Sequence, residues 1–219
     1  MKKNFKLLSL TFLLIFLISS CQEPKKIKEK HWQFISARDN GLSFDRPFVY
    51  RAIAPTNWIR KNPKNDESIQ DTRKANCEFY LLNEEKEKGM RLTIHTFPIQ
   101  NLQLSISNEA QIARWKQQFS YLNPLSIKVT SLSRGGFNGL AFEAEGIIDD
   151  KQTMVIAWSM KLAPLYSHLL QQTREVKQEL LADYTIKVVG DPEFMKTNRL
   201  DIIEFAKSFE LIEELPNPL

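Results

Sequence analysis

Leu140-Ala141-Phe142-Glu143-Ala144-Glu145-Gly146-Ile147-Ile148 runs into a polar break at Asp149-Asp150-Lys151-Gln152. The chain then continues as Thr153-Met154-Val155-Ile156-Ala157-Trp158-Ser159-Met160-Lys161-Leu162. In the first arm Phe142 and Ala144 alternate with Glu143 and Glu145. In the second, Met154, Ile156, Trp158, Met160 and Leu162 fall on every other position. A side-chain period of two is that of a strand, and two such runs around a short polar break predict an antiparallel hairpin.

Working outward, the same period recurs. Upstream, Arg134-Gly135-Gly136-Phe137-Asn138-Gly139 holds three of the chain's seven glycines and predicts a turn, preceded by a strand on which Leu125, Ile127 and Val129 alternate with polar residues. Further strands are expected at 91–97, stopped by Pro98, at 76–82, and at 48–53 leading into Pro55-Thr56-Asn57-Trp58. Between them Ile112, Trp115 and Phe119 change the period to that of a helix over 108–120, with Asn108 as its cap and Gln111 three positions on. Downstream, Leu165, Leu169, Val176 and Leu180 stripe a helix over 164–182, Tyr184–Val189 reads as a strand, and Ile202, Phe205, Ala206 and Phe209 mark the inward side of a closing helix over 198–209. Strands grouped in the middle with helices between and after them predict an α+β fold, a central antiparallel sheet covered by helices on its faces.

The first twenty residues have the three parts of an export signal. Lys2, Lys3 and Lys6 make a basic start, and Leu7 to Ile18 is apolar apart from Ser9 and Thr11. As a helix that run is about 18 Å long, short of the ~30 Å hydrocarbon core. It ends in Leu17-Ile18-Ser19-Ser20-Cys21, which resembles the lipobox of bacterial lipoprotein precursors. The resemblance implies cleavage before Cys21 and acyl chains, palmitate among them, on its sulfur. Several chains on one cysteine give stable anchoring where one is marginal. Gln22 rather than Asp follows the cysteine, which by the enteric sorting rule implies the outer membrane, facing the periplasm. The expected organisation is a signal peptide at 1–20, a lipidated tether at 21–40 in which 31–35 can pack on the domain, and a single globular domain over 41–219.

The net charge of +4 belongs mostly to the front of the chain. Three lysines leave with the signal, residues 21–40 carry about +2, and the remainder is near −1, so the domain has no basic surface of the kind nucleic acid requires. Of the two cysteines, lipidation of Cys21 leaves Cys77 without an intrachain partner. Sharing a strand face with Phe79 and Leu81, Cys77 is expected to be a buried free thiol.

The strand running into Pro55-Thr56-Asn57-Trp58, the sheet-rich middle and the closing helix ending in Ser208-Phe209 are similar to the PsbP-like fold across about residues 44–212. Ala110-Gln111-Ile112-Ala113-Arg114-Trp115-Lys116-Gln117-Gln118-Phe119 also resembles an Arg-Trp-x-x-Gln-Phe helix of uncharacterised bacterial envelope proteins. The resemblance implies an antiparallel sheet sandwiched by helices that serves as a binding or assembly module. Its motifs are packing motifs and imply no activity.

Chemistry is sparse. His31, His95 and His168 fall in different elements with no ligand-type spacing, so no metal set is expected. Glu143 and Glu145 share a strand face about 6–7 Å apart, a separation compatible with paired acid–base work. That face is also where solvated glutamates belong, and opposing Lys or Arg would neutralise them. Arg134-Gly135-Gly136 lacks the rest of a phosphate loop, and neither a nucleophile elbow nor a dinucleotide fingerprint is present. Trp58, Trp115 and Trp158 lie on apolar faces and are expected in the core. Gln111, Arg114 and Gln118 form a polar strip beside Trp115 and are the expected partner-binding residues. The expectation is a non-catalytic lipoprotein, without cofactor, that touches the bilayer through acylated Cys21 and binds an envelope protein or small ligand. The rival classes are a cell-envelope hydrolase with a site built from distant residues, and a surface-exposed host-interaction protein.

Overall fold

A computed structural model of the chain describes residues 29–36, 48–61, 75–84, 89–99, 105–165, 167–168 and 182–211. The signal, Cys21 and most of the tether lie outside the described residues, as does 169–181 of the helix expected at 164–182. Within that helix, residues 164, 165, 167 and 168 are helical.

The strands are β1 (Lys30–Ser36), β2 (Phe48–Pro55), β3 (Ile59–Lys61), β4 (Cys77–Leu82), β5 (Gly89–Pro98), β6 (Tyr121–Leu122), β7 (Lys128–Arg134), β8 (Phe137–Ile148), β9 (Lys151–Leu162), β10 (Ala182–Gly190) and β11 (Glu210–Leu211). The helices are α1 (Asn108–Lys116), α2 (Pro192–Thr197) and α3 (Arg199–Ser208). Eight strands form one sheet in the order β3-β4-β5-β10-β9-β8-β6, with β7 also on β8, and β1-β2-β11 form a second. The pairings in both sheets are antiparallel.

The α+β class holds, but helices cover the sheet only in part. Its first face packs Leu92, Ile94, Met154, Ile156, Tyr184, Ile186 and Val188 against Ile35, Tyr50, Ala52 and Ala54 of the small sheet and Ile202 and Phe205 of α3. A second sheet therefore shares with α3 the role expected of helices alone. The other face packs Phe142, Ala144, Val155 and Ala157 under Ile112 and Trp115 of α1 and Phe119 beyond its end. The sheet is thus buried on both sides at β9, where every residue from Thr153 to Met160 is buried. On its alternate face the small apolar Val155 and Ala157 are flanked by buried Thr153 and Ser159, so both faces of this central strand are covered.

Local chemistry explains the boundaries. The β8–β9 turn is only two residues, Asp149 and Asp150 at φ 48° and 60°, so the arms extend to Ile148 and Lys151. Aspartate tolerates the left-handed region better than most residues with a Cβ. Gly135 and Gly136 close the β7–β8 hairpin at φ 57° and 80°, as expected of a glycine turn there.

The strand expected across Leu125, Ile127 and Val129 is corrected at its start. Residues Pro124–Ser126 form a single 3-10 turn, Asn123 Oδ1 accepts from Leu125 N at 3.1 Å, and Leu125 is 93% exposed. Pro124 at the first turn position fixes its φ and favours the turn over the strand. The Ser126 hydroxyl then accepts from Glu145 N at 2.8 Å, satisfying the β8 edge in the gap between β6 and β7.

The cap of α1 is Ser107, whose Oγ accepts from Ala110 N at 3.1 Å, and not Asn108. Asn108 Oδ1 instead accepts from Ser159 Oγ at 2.8 Å, tying the helix to β9. The closing helix is preceded by α2, where Asp191 Oδ1 accepts from Phe194 N at 2.9 Å and Pro192 occupies the first turn. Strand β1 lies inside the stretch expected as tether and pairs along its length with β2. Among the described residues no helix is long and apolar enough to cross a membrane.

Candidate functional site

The second face of the sheet carries a buried polar field beside the α1 cluster. Strand alternation puts Glu78, Thr93 and Lys187 at one level and His95, Thr185 and Ser159 at the next, and all six are buried. Buried polar groups are costly unless paired. Glu78 accepts from Tyr80 Oη at 2.7 Å and pairs with the guanidinium of Arg91. Burial, and after it the hydrogen bond to Glu78, pushes the Tyr80 phenol up. His95 stacks on Phe97 with centroids 5.9 Å apart.

At the end of this field Asp183 organises the approach to α1. Its carboxylate accepts from Ser105 Oγ at 2.8 Å and Ile106 N at 2.9 Å, and Lys161 Nζ stands 3.4 Å away while also hydrogen-bonding Ser105. Beside this knot opens a cleft of about 310 Å³ with Ile99, Leu162, Pro164 and Ala182 as its apolar walls and Ser105, Ser167 and Lys161 as polar members. An apolar recess with a few convergent polar groups is the usual form of a small-ligand site. Sequence reasoning did not find it, because Ser105, Lys161 and Asp183 have no motif spacing: the β9–β10 pairing brings Lys161 to Asp183, and Ser105 reaches both from the segment before α1.

Glu143 and Glu145 do share a face, and cations from three elements meet them. Arg199 Nη2 of α3 and Lys128 Nζ of β7 reach Glu143 at 2.7 and 3.3 Å, and Lys196 Nζ of α2 reaches Glu145 at 3.1 Å. Burial alone would raise the Glu143 pKa, but the hydrogen bonds and charges of Arg199 and Lys128 outweigh it and hold the carboxyl below its ordinary value. The expected neutralisation by opposing basic residues is therefore what the structure contains.

Of the three histidines, His31 is exposed on β1, His95 is buried on β5 and His168 is exposed near the 164–168 helical turn. Among the described residues no group of three His, Cys, Asp or Glu side chains could hold a metal. Cys77 is a buried free thiol, pushed up to about 11 by burial, although Arg60 across the β3–β4 pairing acts in the other direction. Trp58, Trp115 and Trp158 are core residues, as their apolar faces predicted. Trp58 lies tilted against Phe79 and Phe205, and its Nε1 has no hydrogen-bond partner among the described residues. On α1, Ile112 and Trp115 point inward, Arg114 is exposed and Gln111 is half-buried, whereas Gln118, expected on the same helix, is half-buried in the turn past its end.

The described residues thus define an α+β protein with two stacked antiparallel sheets, acidic side chains held by cations, and an apolar cleft. No protein-family model matches the sequence, and no curated protein does. Among solved structures the chain is similar to cyanobacterial PsbP (CyanoP) from Synechocystis, at 13% identity and a TM-score of 0.47, covering 88% of this chain and 97% of that one. It is also similar to LpqN, involved in cell envelope biogenesis of Mycobacterium tuberculosis, at 7% identity and a TM-score of 0.44, covering 85% and 86%.

Proposed function

We propose that this chain is an envelope lipoprotein whose domain binds and does not turn over its partner. Residues 1–20 act as the signal peptide, Cys21 carries the acyl chains, and a short tether leads into the domain at β1. The anchored protein faces the periplasm from the outer membrane and holds an envelope protein or small ligand, aiding assembly of an envelope complex.

The observation that carries the binding role is the state of the carboxylates. Glu143, the best acid–base candidate in the sequence, is held by two cations and kept ionised. Proton transfer near neutral pH needs a group poised near that pH, and this arrangement moves Glu143 the other way. Glu78, Glu145 and Asp183 are likewise paired with cations. Arg114, exposed on α1, with half-buried Gln111 beside it and half-buried Gln118 just past the helix end, supports a recognition surface for the partner, since the opposite side of α1 is committed to the core.

The test is crosslinking with mass spectrometry in native cells, comparing wild type with an Arg114→Glu, Gln118→Ala double variant. The expected result is an envelope protein captured by wild type and lost in a variant with unchanged melting. Equal capture by both sinks the α1 surface. Turnover by the purified protein in a hydrolase panel sinks the binding role. Absence of palmitate label, together with unaltered fractionation of Cys21→Ser, sinks the anchor, and proteinase access on whole cells moves the domain to the outer surface.

A further inference from the structure

We infer that the outer face of the three-stranded sheet, led by Trp32 and Phe34, rests in the headgroup layer of the membrane that holds the anchor. This rests on the acylation of Cys21 proposed above and adds an orientation to it.

The two aromatics sit at i and i+2 on β1, so they share a face, while Ile35 turns inward with Tyr50. They are 42% and 43% exposed, although one strand over the same sheet packs its other face completely. Their cross-strand partners are Ile53 and Arg51. The Arg51 guanidinium lies 4.4 Å from the Trp32 ring centroid, and its Nη2 is 2.6 Å from Glu210 Oε1. Among the described residues the face therefore presents aromatic and aliphatic surface in which Arg51 is balanced by Glu210 and, at one end, Lys30 by Asp201 and Glu204.

Chain length decides the occupant. Eleven positions separate Cys21 from Trp32, a span of at most about 40 Å when fully extended. Acyl chains on Cys21 therefore confine this face near the bilayer. The intervening Lys25, Lys26 and Lys28 add positive charge that suits anionic headgroups, whereas Lys30 is taken by Asp201 and Glu204 of α3. Tryptophan is the side chain best suited to that layer, because its ring is apolar and its N–H can bond to water or phosphate. Arg51 can keep its charge at the headgroups while its stem and plane lie on the indole.

The chain has four tryptophans, and the other three are buried, so Trp32 reports on this face. Lipoprotein purified from membranes, its acyl chains confirmed by intact mass, is reconstituted in vesicles of phosphatidylglycerol and phosphatidylcholine brominated in the upper acyl chain. Emission is expected to fall by about a quarter relative to unbrominated vesicles, one tryptophan in four. Trp32→Phe should abolish that fall, and Phe34→Ser, which leaves the reporter in place, should reduce it at least about twofold. Both side chains are half-exposed, and unchanged melting of the variants confirms that they fold. Acylated protein whose Trp32 emission ignores the bromines, and is as open to acrylamide with vesicles as in detergent, overturns the docking and leaves the anchor standing. A mass without acyl chains overturns the anchor and the docking with it.

Discussion

Arg199 Nη2, at the start of α3, donates to Glu143 Oε2 in the middle of β8 at 2.7 Å, across 56 positions of sequence. Lys128 of β7 approaches the other oxygen of the same carboxylate. One glutamate therefore joins the closing helix, the edge strand and the long hairpin. The Glu143 side chain is 14% exposed and that of Arg199 44%, so the pair is partly screened by water.

Removing the charge by Glu143→Gln is expected to lower stability by about 0.5–1.5 kcal/mol at neutral pH. The folded carboxyl titrates below the ordinary 4.5, so its contribution is complete above that value and is lost as pH falls through the folded pKa. The wild-type advantage over Glu143→Gln should be level at neutral and mildly acidic pH and shrink as pH falls below 4.5 through the lowered folded value. Urea melts of the two proteins across that range measure it, and an advantage that grows on acidification contradicts the assignment.

Phe205 is fully buried between Trp58 and Phe79, with ring centroids 5.5 and 5.4 Å away. Phe205→Ala should cost about 3–5 kcal/mol, because both the transfer free energy and a cavity term are lost. Arg114→Ala, on the exposed side of α1, should stay within about 0.5 kcal/mol. Denaturant midpoints at constant slope distinguish the two.

Gly139 faces β9 so closely that a Cβ there would stand 2.0 Å from the Ser159 carbonyl oxygen. The obstacle is backbone, which cannot swing aside. Gly139→Ala is expected to destabilise by more than about 2 kcal/mol, read as a fall in melting temperature or in soluble yield.

Asp150 turns the β8–β9 hairpin at φ 60°. Asp150→Gly should stabilise by about 0.5–1 kcal/mol, since relief of the left-handed penalty exceeds the added chain entropy of glycine. A lower denaturation midpoint for this variant would show that the aspartate side chain contributes more than its backbone costs.

Cys77 is buried and titrates near 11, so the native thiol should resist a thiol-specific chromophore at pH 8 and react in full once the chain is unfolded in urea. Rapid labelling of native Cys21→Ser protein, in which Cys77 is the sole cysteine, would show an open thiol.

Much of the fold was legible. The hairpin over 140–162 could be placed from the spacing of its apolar residues, but β8 starts earlier, at Phe137 within the stretch expected as a turn, and the β8–β9 turn proved tighter than its four polar residues suggested. The helix at Trp115 was read from Ile112, Trp115 and Phe119, yet it ends at Lys116 and Phe119 packs from the turn beyond it. Apolar phase tells which residues face inward, not where the hydrogen-bond ladder stops. β1 was the harder case. Trp32 and Phe34 alternate as in a strand, but its partners β2 and, through β2, the distant β11 leave no local mark. Of the candidate site, the sharing of one face by Glu143 and Glu145 was legible, and so was the kind of residue that would oppose them. Which cations these are, and the Ser105–Lys161–Asp183 knot beside the cleft, were not.

The sequence by itself determined where the longer strands from β2 onward and the helices at Trp115 and Phe205 lie, though not β1, β3, β6, β11 or α2, that three tryptophans and Cys77 are buried, and that Glu143 and Glu145 stand together on one strand face. Those properties follow from side-chain period and local turn chemistry, which act over a few residues. Only the tertiary structure decided that a second sheet closes one side of the first, that β6 and β7 share one edge of β8, and that Arg199, Lys196 and Lys128 converge on the two glutamates. Such contacts join residues many positions apart, and each is selected by the free energy of burying the whole ensemble of faces together. No short window of residues contains that quantity.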